Sequence, residues 1–358
     1  MFLDSLKSGP VLITGHTGFK GTWLSLLLEN LGAEVVGYSL PPNKGGLFEL
    51  TERGGKTFEK YGDIRNLDEL KKFVREVSPS FVLHLAAQPL VTEGYVNPID
   101  TFATNVMGTA NLLEACRDVK TIQKVGVVTT DKVYENAGLG RAFNEADPLG
   151  AADPYSASKV AAESAVRAWQ TILENDNQLK IVSLRSGNVI GGGDIASNRL
   201  LPDIIRAKYE NHELRIRYPE STRPWQHALD PLFGYLLALT NDKSDIQKLR
   251  AFNFGPSSSS FSVRQVVEIA ENYWHQDLEV AYDSPESMNY EASLLDLDST
   301  RSLEKLGWSP KWDQHEAVIS TLSWWDEVKL KNLTALEACK IDIGQITANY
   351  DGTEHRDA

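Results

Sequence analysis

Cysteines are scarce in this sequence, and long apolar runs are missing. Only two cysteines occur in 358 residues, Cys116 and Cys339, which are too few for a disulfide framework and too far apart for a zinc knuckle. No run approaches the ~20 apolar residues needed to cross a bilayer, and residues 1–10 lack the apolar stretch of a signal peptide. These absences predict a protein of the reducing cytoplasm, with no membrane partner and no metal site.

Positive charge is also in deficit. The sequence has 36 Lys and Arg against 49 Asp and Glu, a formal net charge of −13, which is the wrong sign for a surface that binds nucleic acid. Anionic small molecules would therefore have to meet positive charge that is concentrated locally. The length suits one large α/β domain or two closely associated domains.

Short β-branched runs alternate with amphipathic stretches in the first half of the chain, which predicts βαβ units and a parallel sheet. We expect strands at residues 11–14, 34–40, 81–87, 124–130 and 181–186, and helices that end near Gly32 or cover residues 66–77, 101–118 and 153–175. The predicted fold class is α/β, a Rossmann-type doubly wound parallel sheet with a smaller C-terminal substrate-binding lobe. The sheet domain takes residues 1–186 and about 228–255, the lobe takes 187–227 and 256–340, and 341–358 form a C-terminal tail.

A glycine-rich segment follows the first predicted strand and opens a helix. It reads Gly15-His16-Thr17-Gly18-Phe19-Lys20-Gly21, a G-x-x-G-x-x-G spacing. Its glycines let the backbone approach a pyrophosphate, which the free N–H groups and the positive end of the helix stabilise. The segment predicts dinucleotide binding, the alternative being a glycine-rich turn without a ligand.

The residues that follow leave the choice between NAD and NADP open. Ser39 stands where a carboxylate would bind the adenosine ribose, and no arginine follows it to accept a 2′-phosphate. Asp63, which precedes Ile64 after the third β position, is a candidate acceptor for the adenine amino group. It is equally well interpreted as a turn aspartate.

Tyr155 and Lys159 are four residues apart at the start of a predicted helix, so they share one helix face. An ammonium one turn away and the positive helix end both stabilise a phenolate, which makes Tyr155 a candidate base. The strand-end hydroxyl of Thr130 precedes them in the chain. Taken alone, the Tyr/Lys spacing is also compatible with a pair on a helix surface.

This order of glycine loop, hydroxyl, tyrosine and lysine resembles the extended short-chain dehydrogenase/reductase family, over about residues 10–335. Segments 84–88 and 104–109 are similar to that family's fourth-strand and following-helix signatures, and Arg185, Asn188 and 223–225 to its sugar-nucleotide contacts. The resemblance implies an enzyme with tightly bound NAD, a nucleoside diphosphate sugar as substrate, and a dimer or dimer of dimers formed through helices 101–118 and 155–175. The implied cofactor-binding residues are Gly15, His16, Thr17, Gly18, Phe19, Lys20, Gly21, Asp63, Ile64, Leu85, Ala86, Ala87, Gln88, Asn105, Tyr155 and Lys159.

Within that family, segments 15–21, 86–91, 188–194 and 223–227 are similar to the dehydratases of CDP-linked glucose. The resemblance implies oxidation at C4, loss of water across C5 and C6, and return of hydride to C6, in deoxysugar synthesis for surface polysaccharide. Asp131 is assigned as acid and Lys132 as base, with the reverse left open, and an exposed ion pair is the alternative. The implied catalytic residues are Thr130, Asp131, Lys132, Tyr155 and Lys159, and the substrate-binding residues are Gln88, Asn188, Arg199, Arg217 and Arg223.

Three other functions stay open at this point. The first is dehydration of a GDP-, UDP- or dTDP-linked hexose, because no single residue identifies the base of the nucleotide. The second is 4-epimerisation of a sugar nucleotide, which needs the Tyr and Lys but not Asp131 with Lys132. The third is a dinucleotide-sensing scaffold without catalysis, against which the presence of Tyr155 and Lys159 argues.

Overall fold

The computed structural model describes residues 2–136, 141–173, 179–210, 212–257, 260–282 and 296–351. Its strands are β1 (Val11–Thr14), β2 (Val35–Ser39), β3 (Phe58–Tyr61), β4 (Phe81–His84), β5 (Lys124–Val128), β6 (Lys180–Ser186), β7 (Val189–Ile190), β8 (Leu214–Ile216), β9 (Thr222–Arg223), β10 (Gln226–His227), β11 (Ala251–Phe254), β12 (Phe261–Ser262) and β13 (Val280–Tyr282).

Its α-helices are α1 (Phe19–Asn30), α2 (Leu47–Leu50), α3 (Leu67–Val77), α4 (Val91–Val96), α5 (Pro98–Phe102), α6 (Gly108–Cys116), α7 (Pro154–Ile172), α8 (Leu200–Glu210), α9 (Leu229–Thr240), α10 (Val263–Trp274), α11 (Thr300–Leu306), α12 (Gln314–Lys329) and α13 (Ala335–Asp351). A π-helical turn, Ala103–Met107, joins α5 to α6, and 3-10 turns cover Phe2–Lys7 and Asp131–Val133.

The central sheet has seven parallel strands in the order β11-β6-β5-β4-β1-β2-β3. This order confirms the predicted Rossmann-type sheet. The carboxyl ends of β1, β4, β5 and β6 meet at one edge, where ligands bind in such folds. The segments that follow these strands, the glycine loop among them, therefore lie side by side.

Helices cover both faces of the sheet. In β1, Val11 and Ile13 belong to one core cluster and Leu12 to another, as the alternation of a strand requires. Helices α1 and α9 contribute to the first cluster, and α3, α6 and α7 to the second. All twelve residues of α9 are buried, as expected for a helix that is apolar on every side.

Several predicted elements differ from the structure in their bounds. The strand expected at 81–87 ends at His84, where the binding edge begins. The helix expected at 101–118 is interrupted by the π-helical turn, in which the side chain of Asn105 reaches across to other segments. Helix α7 ends at Ile172, and its predicted end at Asn175 lies outside the described residues.

The region after Gly187 forms three small two-stranded sheets, β7 with β10, β8 with β13 and β9 with β12. Helices α8, α10 and α12 lie in the same region. The prediction that a tail begins at residue 341 is wrong, because α13 continues to Asp351 and packs against α1, α2, α9 and α12. Ile343 and Ile346 of this helix are buried.

Candidate active site

The glycine loop forms a tight turn between β1 and α1. Gly15 has φ +80°, and a Cβ there would lie 2.7 Å from the backbone nitrogen of Ala86, so glycine is required both for the conformation and for the close approach to the next strand. Gly18 begins α1 without a side-chain cap, and no acid lies in the first turn. The first N–H groups of α1 thus face the binding edge unpaired, which fits the diphosphate of a dinucleotide.

The side chains of the loop hold its shape. His16 Nε2 lies 2.9 Å from Glu59 Oε2 on β3, and Thr17 Oγ1 lies 2.7 Å from Ser39 Oγ on β2. Burial lowers the pKa of His16 even though Glu59 opposes this change. His16 and Thr17 were predicted to bind cofactor; in the structure they fasten the loop to the two neighbouring strands.

Asp63 is held by Arg65. Both of its carboxylate oxygens accept hydrogen bonds from the Arg65 guanidinium at 2.6–3.1 Å, which lowers the pKa of Asp63. Ile64 is buried in the second core cluster. The structure thus shows the turn role of Asp63, and its contact with adenine stays a prediction.

Gln88 and Asn105 form hydrogen bonds that connect the segment after β4 to α7. The Asn105 amide accepts from Gln88 N at 2.8 Å and donates to Gln88 O and to Ser158 Oγ at 3.1 and 2.9 Å. The Gln88 amide donates to Thr101 Oγ1 at 2.9 Å. These two side chains position the half-buried segment of Leu85, Ala86 and Ala87, and ligand contacts of their own stay predictions.

Tyr155 and Lys159 lie on one buried face of α7, as their spacing predicts. The pKa of Tyr155 is raised to about 12, because burial and Asp131 raise it by more than Arg199 and a hydrogen bond with Thr130 lower it. Lys159 Nζ donates to Val128 O at 3.4 Å. Burial lowers the pKa of Lys159 to about 8, against the effect of Glu163. Arg199 is a further cation that acts on Tyr155, and the effect of Lys159 on the phenol stays a prediction.

Asp131 lies in the 3-10 turn that follows β5. Thr130 Oγ1 donates to Asp131 Oδ1 at 2.9 Å and accepts from Lys132 N at 3.3 Å. Asp131 is 2% exposed, which excludes an ion pair on the surface. Burial raises the pKa of Asp131, although Lys132, Thr130 and Arg223 oppose it. A carboxyl group whose pKa is raised in this way is suited to act as an acid.

The four predicted substrate residues beyond Gly187 are divided by the structure. Arg199, whose NH1 lies 3.0 Å from Asp194 Oδ2, and the buried Arg223 act electrostatically on Tyr155 and Asp131 respectively. Asn188 is half-buried directly after β6. Arg217 is exposed after β8, and the structure gives no contact between it and these catalytic residues.

Arg185 is part of the core rather than a ligand contact. It forms a two-point ion pair with Glu163 at 2.8 and 2.9 Å and donates to Tyr134 OH at 2.9 Å. Glu163 also accepts from Thr129 Oγ1 at 2.6 Å. The resemblance implied a sugar-nucleotide contact for Arg185, which the structure corrects, because its guanidinium joins β6 to α7.

Sequence reasoning missed three side chains near the site. Glu163 follows Lys159 by one helical turn, a signal that was available. Ser186 and Tyr235 gave none, yet their hydroxyls are 2.7 Å apart and accept from Lys20 Nζ at 3.2 and 3.1 Å. Lys20, predicted to serve the dinucleotide, is therefore directed toward the end of β6.

The model of the NAD dependent epimerase/dehydratase family matches residues 11–255. The chain belongs to this family. It is 40% identical over 322 residues to CDP-glucose 4,6-dehydratase of Salmonella typhimurium strain LT2, which covers 88% of this chain and 89% of that protein.

Solved structures agree with this family assignment. The structure of MoeE5 with UDP-glucuronic acid and NAD has a TM-score of 0.75 at 25% identity and covers 90% of this chain and 100% of that one. UDP-glucose 4-epimerase of Thermotoga maritima has a TM-score of 0.78 at 22% identity, covering 89% of this chain and 99% of that one, and shows the shared fold.

The described ranges offer no candidate for a membrane span or for a metal site. None of the helices there combines the length and the apolar character that crossing a membrane requires. In the same part of the chain, no three His, Cys, Asp or Glu side chains are close enough together to hold a metal ion.

Proposed function

We propose that this family member is an NAD-dependent dehydratase that converts CDP-glucose to CDP-4-dehydro-6-deoxyglucose. The observation that carries the proposal is the buried carboxyl group of Asp131, which Thr130 joins to Tyr155 by hydrogen bonds. Hydride transfer at C4 needs only the tyrosine and the cofactor, which a 4-epimerase also uses. A carboxyl group in the same site whose pKa is raised by burial supplies the additional acid that loss of water demands.

Each residue then has a separate task. Tyr155 takes the proton of the C4 hydroxyl, and Thr130 donates a hydrogen bond to the developing ketone. The ketone acidifies the C5 proton, which Lys132 removes while Asp131 protonates the departing C6 hydroxyl. NAD, when bound, accepts the hydride from C4 and later returns it to C6. Lys159 holds the cofactor ribose, and the uncapped start of α1 holds the diphosphate.

The substrate lies, in this proposal, between the binding edge and the region beyond Gly187. Arg199, Arg223 and Asn188 are the candidates for its diphosphate, because guanidinium groups bind phosphate oxygens in a two-point geometry. CDP is proposed as the nucleotide on the likeness to the Salmonella enzyme. The product is a 4-keto sugar, which suits further conversion in deoxysugar synthesis for surface polysaccharide.

Incubation with CDP-, dTDP-, UDP- and GDP-glucose tests this function. With CDP-glucose we expect a product that has lost one water and carries a C6 methyl group, seen by mass spectrometry and proton NMR. In D₂O the product should carry deuterium at C5, because the lysine base exchanges with solvent. Recovery of a C4 epimer alone would overturn dehydration, and preference for another nucleotide would overturn the choice of CDP.

We further propose a cytoplasmic homodimer. The segment from α4 to the π-helical turn exposes a set of large apolar side chains: Tyr95, Val96, Ile99, Phe102 and Met107. Exposed large apolar side chains that are this close together in the sequence are compatible with a contact between proteins. Both cysteines are buried free thiols, which is compatible with a reducing compartment.

A further inference from the structure

Lys20 is placed where a lysine is unfavourable. It lies in the first turn of α1, so its charge opposes the positive end of the helix dipole. Its ammonium donates to Ser186 Oγ and Tyr235 OH at 3.2 and 3.1 Å and lies 5.2 Å from the centre of the Tyr235 ring. These contacts join the glycine loop to β6 and α9. Gly187, the residue after Ser186, lies against Asp131, since a Cβ on Gly187 would be 3.0 Å from Asp131 Oδ2.

The groups that face Lys20 are mostly cations. Lys159 from α7 and Arg199 from the segment before α8 repel its charge, and Asp131 after β5 attracts it. Tyr235 from α9 is its remaining titratable neighbour. Among the described residues, no carboxylate forms an ion pair with Lys20. Burial, Lys159 and Arg199 lower the pKa of Lys20 from 10.5 to about 7.

We propose that Lys20 is a positioning residue of the proposed active site, whose charge acts on Asp131 and not on the cofactor diphosphate. The inference rests on the proposed function. When Asp131 gives its proton to the departing hydroxyl, a buried carboxylate forms. A nearby cation stabilises that carboxylate more than the neutral acid, so the charge on Lys20 lowers the barrier to elimination.

The contribution of Lys20 to kcat should therefore depend on pH. Below about pH 7 Lys20 carries its charge, and above that pH it is a neutral amine that resembles methionine in charge. The ratio of wild-type kcat to that of Lys20→Met should therefore fall as pH rises. We expect about a tenfold ratio at about pH 6 and less than about twofold at about pH 9, since one pKa unit corresponds to a factor of ten. Affinity for NAD should be unchanged.

Lys124→Met is the matched control. Lys124 is also a buried lysine whose pKa is lowered, to about 8, and its ammonium donates to Ala238 O and Asn241 O at 3.0 and 2.8 Å. It begins β5, at the opposite edge of the sheet from the site. Any loss of kcat in this variant should be the same at every pH. Tyr235→Phe, which keeps the ring but removes one acceptor of Lys20, should show a smaller change in the direction of Lys20→Met.

Stability gives a readout that needs no substrate. Between about pH 7 and pH 10.5 the unfolded chain binds a proton at Lys20 that the folded chain does not, so this lysine makes folded-state stability rise with pH. Lys20→Met removes this half-buried charge, and urea unfolding should show the variant to be more stable than wild type at pH 7 and below. The gain should shrink as pH approaches 10.5, the ordinary pKa of lysine.

The outcomes separate the two proposals. If wild type converts none of the four sugar nucleotides, the proposed function fails, and the stability comparison alone decides whether Lys20 is a buried charge of this kind. A pH-independent ratio of kcat would overturn the role of Lys20. So would a loss of NAD affinity in Lys20→Met that accounts for its loss of activity, because Lys20 would then bind the cofactor.

Discussion

Tyr155 and Asp131 are both buried acids with raised pKa values, yet the proposed reaction requires opposite proton transfers from them. Asp131 donates a proton, so a raised pKa favours its role. Tyr155 accepts a proton, so the rise in its pKa caused by burial disfavours its role. The neighbouring Arg199 and Thr130 have to offset that rise. The two side chains differ in what surrounds them more than in how deeply they are buried.

The first prediction concerns Tyr155. Tyr155→Phe removes the hydroxyl that takes the C4 proton, so kcat should fall by about 10²- to 10⁴-fold, the usual contribution of a positioned acid or base. NAD should still bind, as followed by fluorescence of the bound dinucleotide. Tyr209→Phe is the control, because Tyr209 bonds Asp326 in the region beyond Gly187. Near-normal turnover of Tyr155→Phe would show that another group takes the proton.

The second prediction assigns the acid and the base. Asp131→Asn keeps the shape but not the proton, so oxidation at C4 should proceed while elimination is blocked, and reduced nicotinamide should accumulate in a single turnover. If Lys132 is the base, Asp131→Asn still exchanges the C5 proton for deuterium in D₂O, and Lys132→Met does not. The opposite pattern of exchange would reverse the two roles.

At the residue scale, the sequence could predict site residues that lie close together within a short segment of the chain. Tyr155, Lys159, Thr130 and Asp131 were identified because their spacing along one helix or one strand end carries the chemistry. The contacts of the Lys20 ammonium could not be predicted, because Ser186 and Tyr235 lie more than 150 positions away in the sequence and contact it only in the folded chain. Arg185 was misassigned for the same reason, since its partner Glu163 lies on another element.

At the scale of elements, α13 shows how a helix was mistaken for a tail. The polar residues after position 348 suggested a tail. The residues before them, however, include buried side chains that recur every three or four positions: Ala335, Ala338, Cys339, Asp342, Ile343 and Ile346. That spacing is the mark of an amphipathic helix. The π-helical turn at 103–107 was beyond prediction, because it depends on contacts of Asn105 with two distant segments.

The third prediction tests the packing of α13. Ile346 is 0% exposed and Ile341 is 42% exposed on the same helix. Ile346→Ala should lower the free energy of unfolding by about 2–5 kcal/mol, the usual cost of emptying a core site. Ile341→Ala should lower it by less than about 1 kcal/mol. Equal losses in urea unfolding would mean that the helix is not docked as described.

At the scale of the whole molecule, charge and apolar surface have separate roles. With a net charge of −13, the protein as a whole repels its anionic ligands. In the proposed function the start of α1, Arg199 and Arg223 supply the local attraction, whereas Arg215 and Arg217 are exposed. The sequence predicted that positive charge would be local, but only the fold separates the buried Arg223 and the half-buried Arg199 from the exposed arginines.

The fourth prediction concerns assembly. Ile99 is 81% exposed within the apolar set from α4 to the π-helical turn. Ile99→Glu places a charge that cannot be buried in a dimer contact, so the dimer should dissociate, as measured by light scattering after size exclusion. Leu330→Glu is the control. Leu330 is 62% exposed and lies outside this apolar set, so this variant should leave the mass unchanged. A wild-type monomer would contradict the proposed dimer directly.

The docking of α13 against α1 also bears on how the chain folds during synthesis. The helix that begins at the glycine loop completes its packing only when α13 has been made, and β11 joins β6 only after the intervening region has been made. Such contacts between distant positions slow folding and leave apolar surface exposed meanwhile. A chain that is still being synthesised would therefore hold an incomplete cofactor cradle until α13 has been added.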